Sequence, residues 1–281
     1  MKKAVQQFML GTVMNNETQA RQTLAAMKAA GYDGIELCAF MIRPTGPIVR
    51  LLTQAAGMPV GKGGKLNWNA LVKESGLEVV GLHLDLGTLE KDISACAEDA
   101  ESLGTKYLVI TGMYRFDYGN EAMVRDLAYR LNKAGQALKG QGIELLYHNH
   151  NCELRRTESG RRAYEILMEE TEPAYVNFEF DSYWFADGGA DPLFWMRKLG
   201  NRMKLWHIND RGSRVTGPAM TPILKSDSLE LGTGNMPLDA LMEQGENAGC
   251  EAVILESHRN WIGKSPIKSL QLSAKYLNER V

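Results

Sequence analysis

The stretch Lys139 to Leu154, KGQGIELLYHNHNCEL, decides the fold. A helix end runs into glycine, a charged residue follows, and an apolar run then closes on two histidines and a glutamate. The same shape recurs in AAGYDGIEL (29–37), ESGLEVVGL (74–82) and NAGCEAVILE (247–256). Glycine at such a junction serves as the left-handed terminator of a helix. Strand-like runs lie at about 4–10, 33–38, 78–84, 106–111, 142–149, 174–181, 203–209 and 251–257. They are continuous apolar runs, as strands buried on both faces should be. Helical periodicity fills the gaps. Residues 120–140 place Met123, Val124, Leu127, Leu131, Ala134 and Leu138 on one face, at spacings of three and four. Residues 16–30 open on an Asn15-Asn16 cap and turn Leu24 and Met27 inward, and the last helix starts at Ser265-Pro266, a cap followed by proline at the first helical position.

Eight strand–helix units with no second pattern predict an α/β fold. It is a single (β/α)8 TIM barrel spanning residues 1–281, close to the roughly 250 residues usual for that architecture. An open doubly wound sheet would need a glycine-rich phosphate loop after its first strand. MLGTVMNNE (9–17) has one glycine and no such motif. Two long segments, about 39–65 and 211–235, follow strand ends and are expected to overhang the barrel mouth.

Composition narrows the function. Hydrophobic residues make up 44% and charged residues 23%, and the net charge is -2, which offers no basic field for nucleic acid. No run approaches the roughly 20 apolar residues of a membrane span. The start, MKKAVQQFMLGTVMNNE, reads as a first strand rather than a signal peptide. Four scattered cysteines without a C-x-x-C pair point to a reduced, cytoplasmic setting. Apolar residues in the first long loop, Ile48, Val49 and Leu52, hint at a partner surface and a homo-oligomer.

All five histidines, His83, His148, His150, His207 and His258, fall at or just past strand-like ends. A parallel barrel gathers those ends at one mouth. His148 and His150 share a side of their strand because residues two apart do, and Glu153 follows in the turn. Asp181 ends NFEFD before the aromatic pair Trp184 and Phe185; a half-desolvated aspartate there needs a cation or donors. KLWHINDR brings His207 to the rim, with Asp210 placed to orient a ligand and Arg211 to bind a substrate oxygen or lie at the surface. Glu256 closes AVILE, where a buried carboxylate is costly unless paired, and His258 follows on the same side. Glutamate, aspartate, histidine and glutamate from four consecutive strands suit Mn²⁺, Mg²⁺, Co²⁺ or Zn²⁺. Glu36 and His83 would complete a polar wall for a polyol substrate.

GYDGIEL, GLHL, YHNHNCEL, FDSYWFADGGADP, KLWHINDR, LGTGNMPLD and VILESH, in that order, make the chain resemble the xylose isomerase-like barrel superfamily, the sugar phosphate isomerase/epimerase group. The resemblance covers nearly the whole chain. It implies a divalent metal, often Mn²⁺, held by Glu153, Asp181, His207 and Glu256, with His148 and His150 as an adjacent acid/base pair and Glu256 as a further base. Relatives that epimerise free ketoses usually carry glutamate where this chain has His148, so His148 as the ligand and Glu153 as the base stays open. They often carry histidine where this chain has Trp184, whose flat face suits a sugar ring or a larger substituent. The implied activity is isomerisation or epimerisation of a keto-sugar through an enediolate. The alternative is a lyase or dehydratase acting on a 3-keto-glycoside or keto-inositol. Less favoured are a phosphodiesterase like the apurinic endonucleases and a non-catalytic sugar-binding barrel.

Overall fold

A computed structural model describes residues 1–43, 63–215, 218 and 223–281. Seven strands in chain order, β1 (Lys2–Gln6), β2 (Gly34–Cys38), β3 (Glu78–Leu84), β4 (Tyr107–Thr111), β5 (Glu144–His148), β6 (Val176–Asp181) and β7 (Met203–Ile208), are closed into a barrel by β10 (Ala252–Leu255). Every barrel pairing is parallel. Helices lie between the strands, so the molecule is the (β/α)8 barrel that the glycine-stopped units predict. Gly31 and Gly76 end their helices at φ 97° and 68°, left-handed conformations that glycine adopts without steric cost. Asn16 caps Glu17–Ala30 by accepting from the Gln19 amide, and Ser265 caps Pro266–Asn278 in the same way.

Some boundaries differ from the periodicity. The first strand stops at Gln6, because its side chain accepts the Phe8 amide at 3.2 Å and starts a 3-10 turn over Gln7–Val13. The amphipathic helix is Glu121–Lys139, with Val124, Leu127, Leu131 and Leu138 fully buried but Met123 at the exposed edge of its stripe. The segment 211–235 is not a bare loop: β8 (Asp210–Gly212) pairs antiparallel with β9 (Asp227–Leu229) to form a hairpin over the mouth. Of the segment 39–65, a short helix at Ala39–Ile42 and a turn at Gly63–Lys65 are described. The expected partner surface at Ile48, Val49 and Leu52 lies outside the described residues. Among the described residues no helix is long and apolar enough to cross a membrane.

The core of the described residues has two main parts and a small third cluster of Phe8, Cys38 and Met41. One large apolar layer lies between strands and helices. A smaller one, Ala4, Val80, Tyr107, Val109, Leu146, Leu205, Ala252 and Ile254, plugs the barrel interior. Alternate residues of a strand face the same way. The inward rows therefore continue from Leu146 to His148, from Leu205 to His207 and from Ile254 to Glu256, and set a polar layer on an apolar plug.

Candidate metal centre and active site

His207 sits at the middle of that polar layer. Its Nδ1 is 3.0 Å from Glu256 Oε2 and 3.9 Å from Asp181 Oδ2. Its Nε2 is 2.6 Å from Glu36 Oε2 and 3.2 Å from Glu179 Oε2. The imidazole thus separates an upper acidic pair from a lower one. His148, Asp181, His207 and Glu256 each present a ligand atom within 4.8 Å of the others, and His83, His148, Glu179 and His207 form a second, deeper group just as close together. His148 Nδ1 is buried 2.9 Å from Glu179 Oε2 but out of line for a hydrogen bond, and so lacks a hydrogen-bond partner. Two carboxylates and two imidazoles converging around one point, with an orphaned ring nitrogen among them, fit a divalent cation.

The electrostatics agree with that fit. Burial, with Glu256 alongside, pushes the Asp181 carboxyl up to about 8. Burial also pushes Glu256 up, but His258 and His207 outweigh it and hold that carboxyl well below its usual range. His207 is raised well above an ordinary imidazole because Glu179, Glu36 and Glu256 overcome its desolvation. Beneath it, His83 lies 2.8 Å from Glu179 and 3.0 Å from Glu36; those two carboxylates overcome its burial and raise it to about 10. Glu36 is raised by burial and by Glu179. Glu179 is held low by His207 and His83 against the pull of burial. Burial lowers His148 and His150 to about 4, so both are neutral at pH 7 and able to accept a proton or bind a cation.

The expected site residues fall into four places. Asp181, His207 and Glu256 converge, and His148 joins them. Glu153 does not. Its oxygens accept from Tyr147 Oη at 2.8 Å, the His150 amide at 2.9 Å and Cys152 Sγ at 3.2 Å. The reason is the turn at Cys152–Leu154, which carries Glu153 past the strand end and back to the outer side of the wall, where Tyr147 packs. Glu36 and His83, expected to wall the substrate, are buried and paired with each other beneath His207. Glu36 Oε1 packs so closely on Gly81 that a Cβ there would lie 2.7 Å away.

Trp184, His150 and His258 reach the mouth. The Trp184 ring lies 5.8 Å from each of the two imidazoles, and Phe8 meets His258 edge-on at 5.2 Å. His258 Nε2 is 3.0 Å from Glu256 Oε1. Asp210, expected to orient a ligand, instead accepts the amides of Gly232, Gly234 and Met236 at 3.1, 2.8 and 3.1 Å. It pins LGTGNM against the hairpin, and a Cβ at Gly234 would lie 2.4 Å from its Oδ1. Arg211 is turned to Asp187, 3.2 Å away. An open cleft adjoins the convergent group, lined by Asp181, Glu256, His258 and Trp184 and extended by Tyr183 and Arg259.

Sequence reading passes over Glu179, although its place two residues before Asp181 on the inward row is a usable signal. It also misses Arg259 and Tyr183, which only the folding of the mouth loops brings to the cleft.

Comparison with known proteins agrees with this fold. An inosose dehydratase of Mesomycoplasma hyopneumoniae (strain 7448) is 30% identical over 122 residues, which is 39% of this chain and 40% of that protein. One from Clostridium tetani is 34% identical over 87 residues, 31% of this chain and 28% of that protein. The match therefore spans less than half the length of these curated relatives. Among solved structures, a sugar phosphate isomerase/epimerase from Parabacteroides distasonis ATCC 8503 superposes with a TM-score of 0.78 at 22% identity, covering 98% of this chain and 93% of that one. The IolI protein, crystallised with a zinc atom, superposes with a TM-score of 0.69 at 16% identity over 100% and 98%. Those two share the fold. The family model described as xylose isomerase-like TIM barrel matches residues 24–280, and with nearly the whole barrel inside that match the chain belongs to the xylose isomerase-like TIM barrel family.

Proposed function

We propose that this chain is a divalent-metal-dependent enzyme, with Mn²⁺ as its ion, that removes a proton from the carbon next to the carbonyl of a keto-sugar and works in the cytoplasm. The observation that carries the reading is the convergence of His148, Asp181, His207 and Glu256, of which Asp181 and Glu256 also line an open cleft. These four side chains would hold the ion, which when bound polarises the substrate carbonyl and offsets the charge that develops on its oxygen. Trp184 offers a flat face against which the sugar ring can rest. His150, neutral at pH 7 because burial lowers it, stands beside His148 and is the base on one side of the ring. Glu256, whose second oxygen faces His258, is placed to handle a proton on the other. Return of the proton to another face or carbon makes the reaction an isomerisation or epimerisation.

A second reading ends the same enediolate by expelling a neighbouring hydroxyl or glycosidic oxygen. The inosose dehydratase relatives favour it, since dehydration is that outcome. Activity should disappear on thorough chelation and return with Mn²⁺; full activity in chelator rejects the proposal. Product analysis in deuterated water separates the outcomes. Deuterium gained with no group lost means isomerisation, and release of water or an aglycone means elimination.

A further inference from the structure

The cleft does not end at the metal-binding side chains. It continues past Trp184 to Tyr183, Asp227, Ser228 and Arg259, none of which the proton transfer uses. The Nε of Arg259 lies 2.9 and 3.1 Å from the two oxygens of Asp227. That contact orients the guanidinium at the cleft rim, where the side chain is 66% exposed, and its two terminal nitrogens make no hydrogen bond among the described residues. The loops that carry this pair are tied together. Ser228 Oγ donates to the Arg259 carbonyl at 3.0 Å, and Asn260 Nδ2 donates to the Ser228 carbonyl at 2.9 Å. Asn260 holds φ at 59°, a left-handed conformation that asparagine tolerates better than most residues with a side chain.

The chemistry of this outer wall is specific. A guanidinium with free donors, a carboxylate that balances its charge and a phenol alternate donors with acceptors at no net charge. Such a wall suits neighbouring hydroxyls. It does not suit a phosphate or carboxylate, because Asp227 stands against Arg259 and Asp181 and Glu256 line the same cleft. We propose that Arg259, oriented by Asp227 and joined by Tyr183, binds an uncharged hydroxyl-bearing group attached to the reacting ring, so that the substrate is a two-part conjugate such as a keto-glycoside carrying a second sugar. This inference rests on the function proposed above and names its substrate class.

The test compares kcat/KM for 3-keto-glucose and for a glucose disaccharide oxidised at the same carbon, using protein loaded with Mn²⁺. The disaccharide should be preferred. Arg259→Ala should cut the disaccharide-to-monosaccharide ratio by about tenfold or more, the effect of losing a hydrogen bond to a charged group. Tyr183→Phe should cut it a few-fold, and thermal midpoint and manganese content report whether each variant is folded. A ratio that stays within about twofold of wild type in both variants overturns the outer subsite and leaves the proton-abstraction reading standing. Preference for a phosphorylated keto-sugar, lost in Arg259→Ala, also overturns it, because the wall then serves an anion. Turnover of no keto-sugar overturns both.

Discussion

The Nε2 of His207 lies 2.6 Å from Glu36 Oε2, while its Nδ1 faces Glu256 and Asp181. With one ring hydrogen given to Glu36, a cation that displaces the hydrogen shared between Nδ1 and Glu256 would find the Nδ1 lone pair on the side where the carboxylates converge. Gln6 Nε2 holds the same Glu36 oxygen at 2.7 Å, so the acceptor is itself fixed. Carboxylates that orient a ligating histidine in this way typically account for 10- to 100-fold in metal affinity. Glu36→Gln should therefore weaken Mn²⁺ binding by about 10- to 100-fold while leaving one ion bound at saturation. Titration calorimetry checks this, and an affinity within about threefold of wild type removes Glu36 from the metal centre.

Glu153 should behave as a structural acid. The Met113 amide donates to Tyr118 Oη at 2.9 Å, Tyr118 and Tyr147 hydroxyls meet at 2.9 Å, and Tyr147 donates to Glu153. Because the Tyr147 hydroxyl donates to Glu153, the Tyr118 hydroxyl donates to Tyr147, and both hydrogens point toward Glu153, whose other oxygen holds the His150 amide. Glu153→Ala would leave these donors buried and unanswered, at a cost of about 2–4 kcal/mol in unfolding free energy. Tyr118→Phe should cost about 1 kcal/mol. Metal content should stay at the wild-type value in both. Loss of the ion from a folded Glu153 variant would instead make it a ligand.

How far the sequence discloses this site depends on where regular geometry stops. Asp181, His207 and Glu256 are legible because each ends an inward row of a strand, where a period of two fixes direction. Glu153 is not, because it lies beyond the last residue of β5 in a turn that reverses its direction. Glu36 and His83 are legible as inward polar residues, yet their depth in the barrel is invisible without the register that stacks Cys38 beside His83. Asp210 reads as a rim ligand because no local pattern announces that LGTGNM will fold back onto it. The barrel itself is plain because β2, β3 and β4 each follow a helix stopped by a left-handed glycine, at Gly31, Gly76 and Gly104, and the same pattern repeats along the chain.

The metal-free protein should lose stability as pH rises from about 7 to 8.5. Asp181 is an acid raised in the folded state to about 8, so between its unfolded value near 4 and about 8 the folded chain binds the extra proton, and the stability that comes with it fades as pH climbs. His83, raised to about 10, and His207, raised well above its ordinary value, lose stability in the same direction above the unfolded histidine value near 6.5. His148 and His150 are lowered to about 4, so their contribution is already constant above that value. A bound cation takes the place of these protons. The rise in thermal midpoint on adding Mn²⁺ should accordingly grow across this range. Calorimetry in chelator and in Mn²⁺ reads both curves, and a metal-free midpoint that climbs with pH contradicts the assignment.

Trp184 joins the cation site to the cleft through different atoms. Its backbone amide donates to Asp181 Oδ1 at 2.8 Å, and its ring stands between His150 and His258. A side-chain change keeps the amide and so keeps the aspartate in place. Trp184→Ala should leave Mn²⁺ affinity within a few-fold of wild type but raise KM for a ring-form keto-sugar by about 3- to 10-fold, the worth of one aromatic contact. Trp184→Phe should recover part of the loss, since the face is smaller but present. Equal KM in all three proteins would show that the ring does not touch the substrate, and a collapse of metal affinity in Trp184→Ala would show that the indole, rather than the amide, holds Asp181 in position.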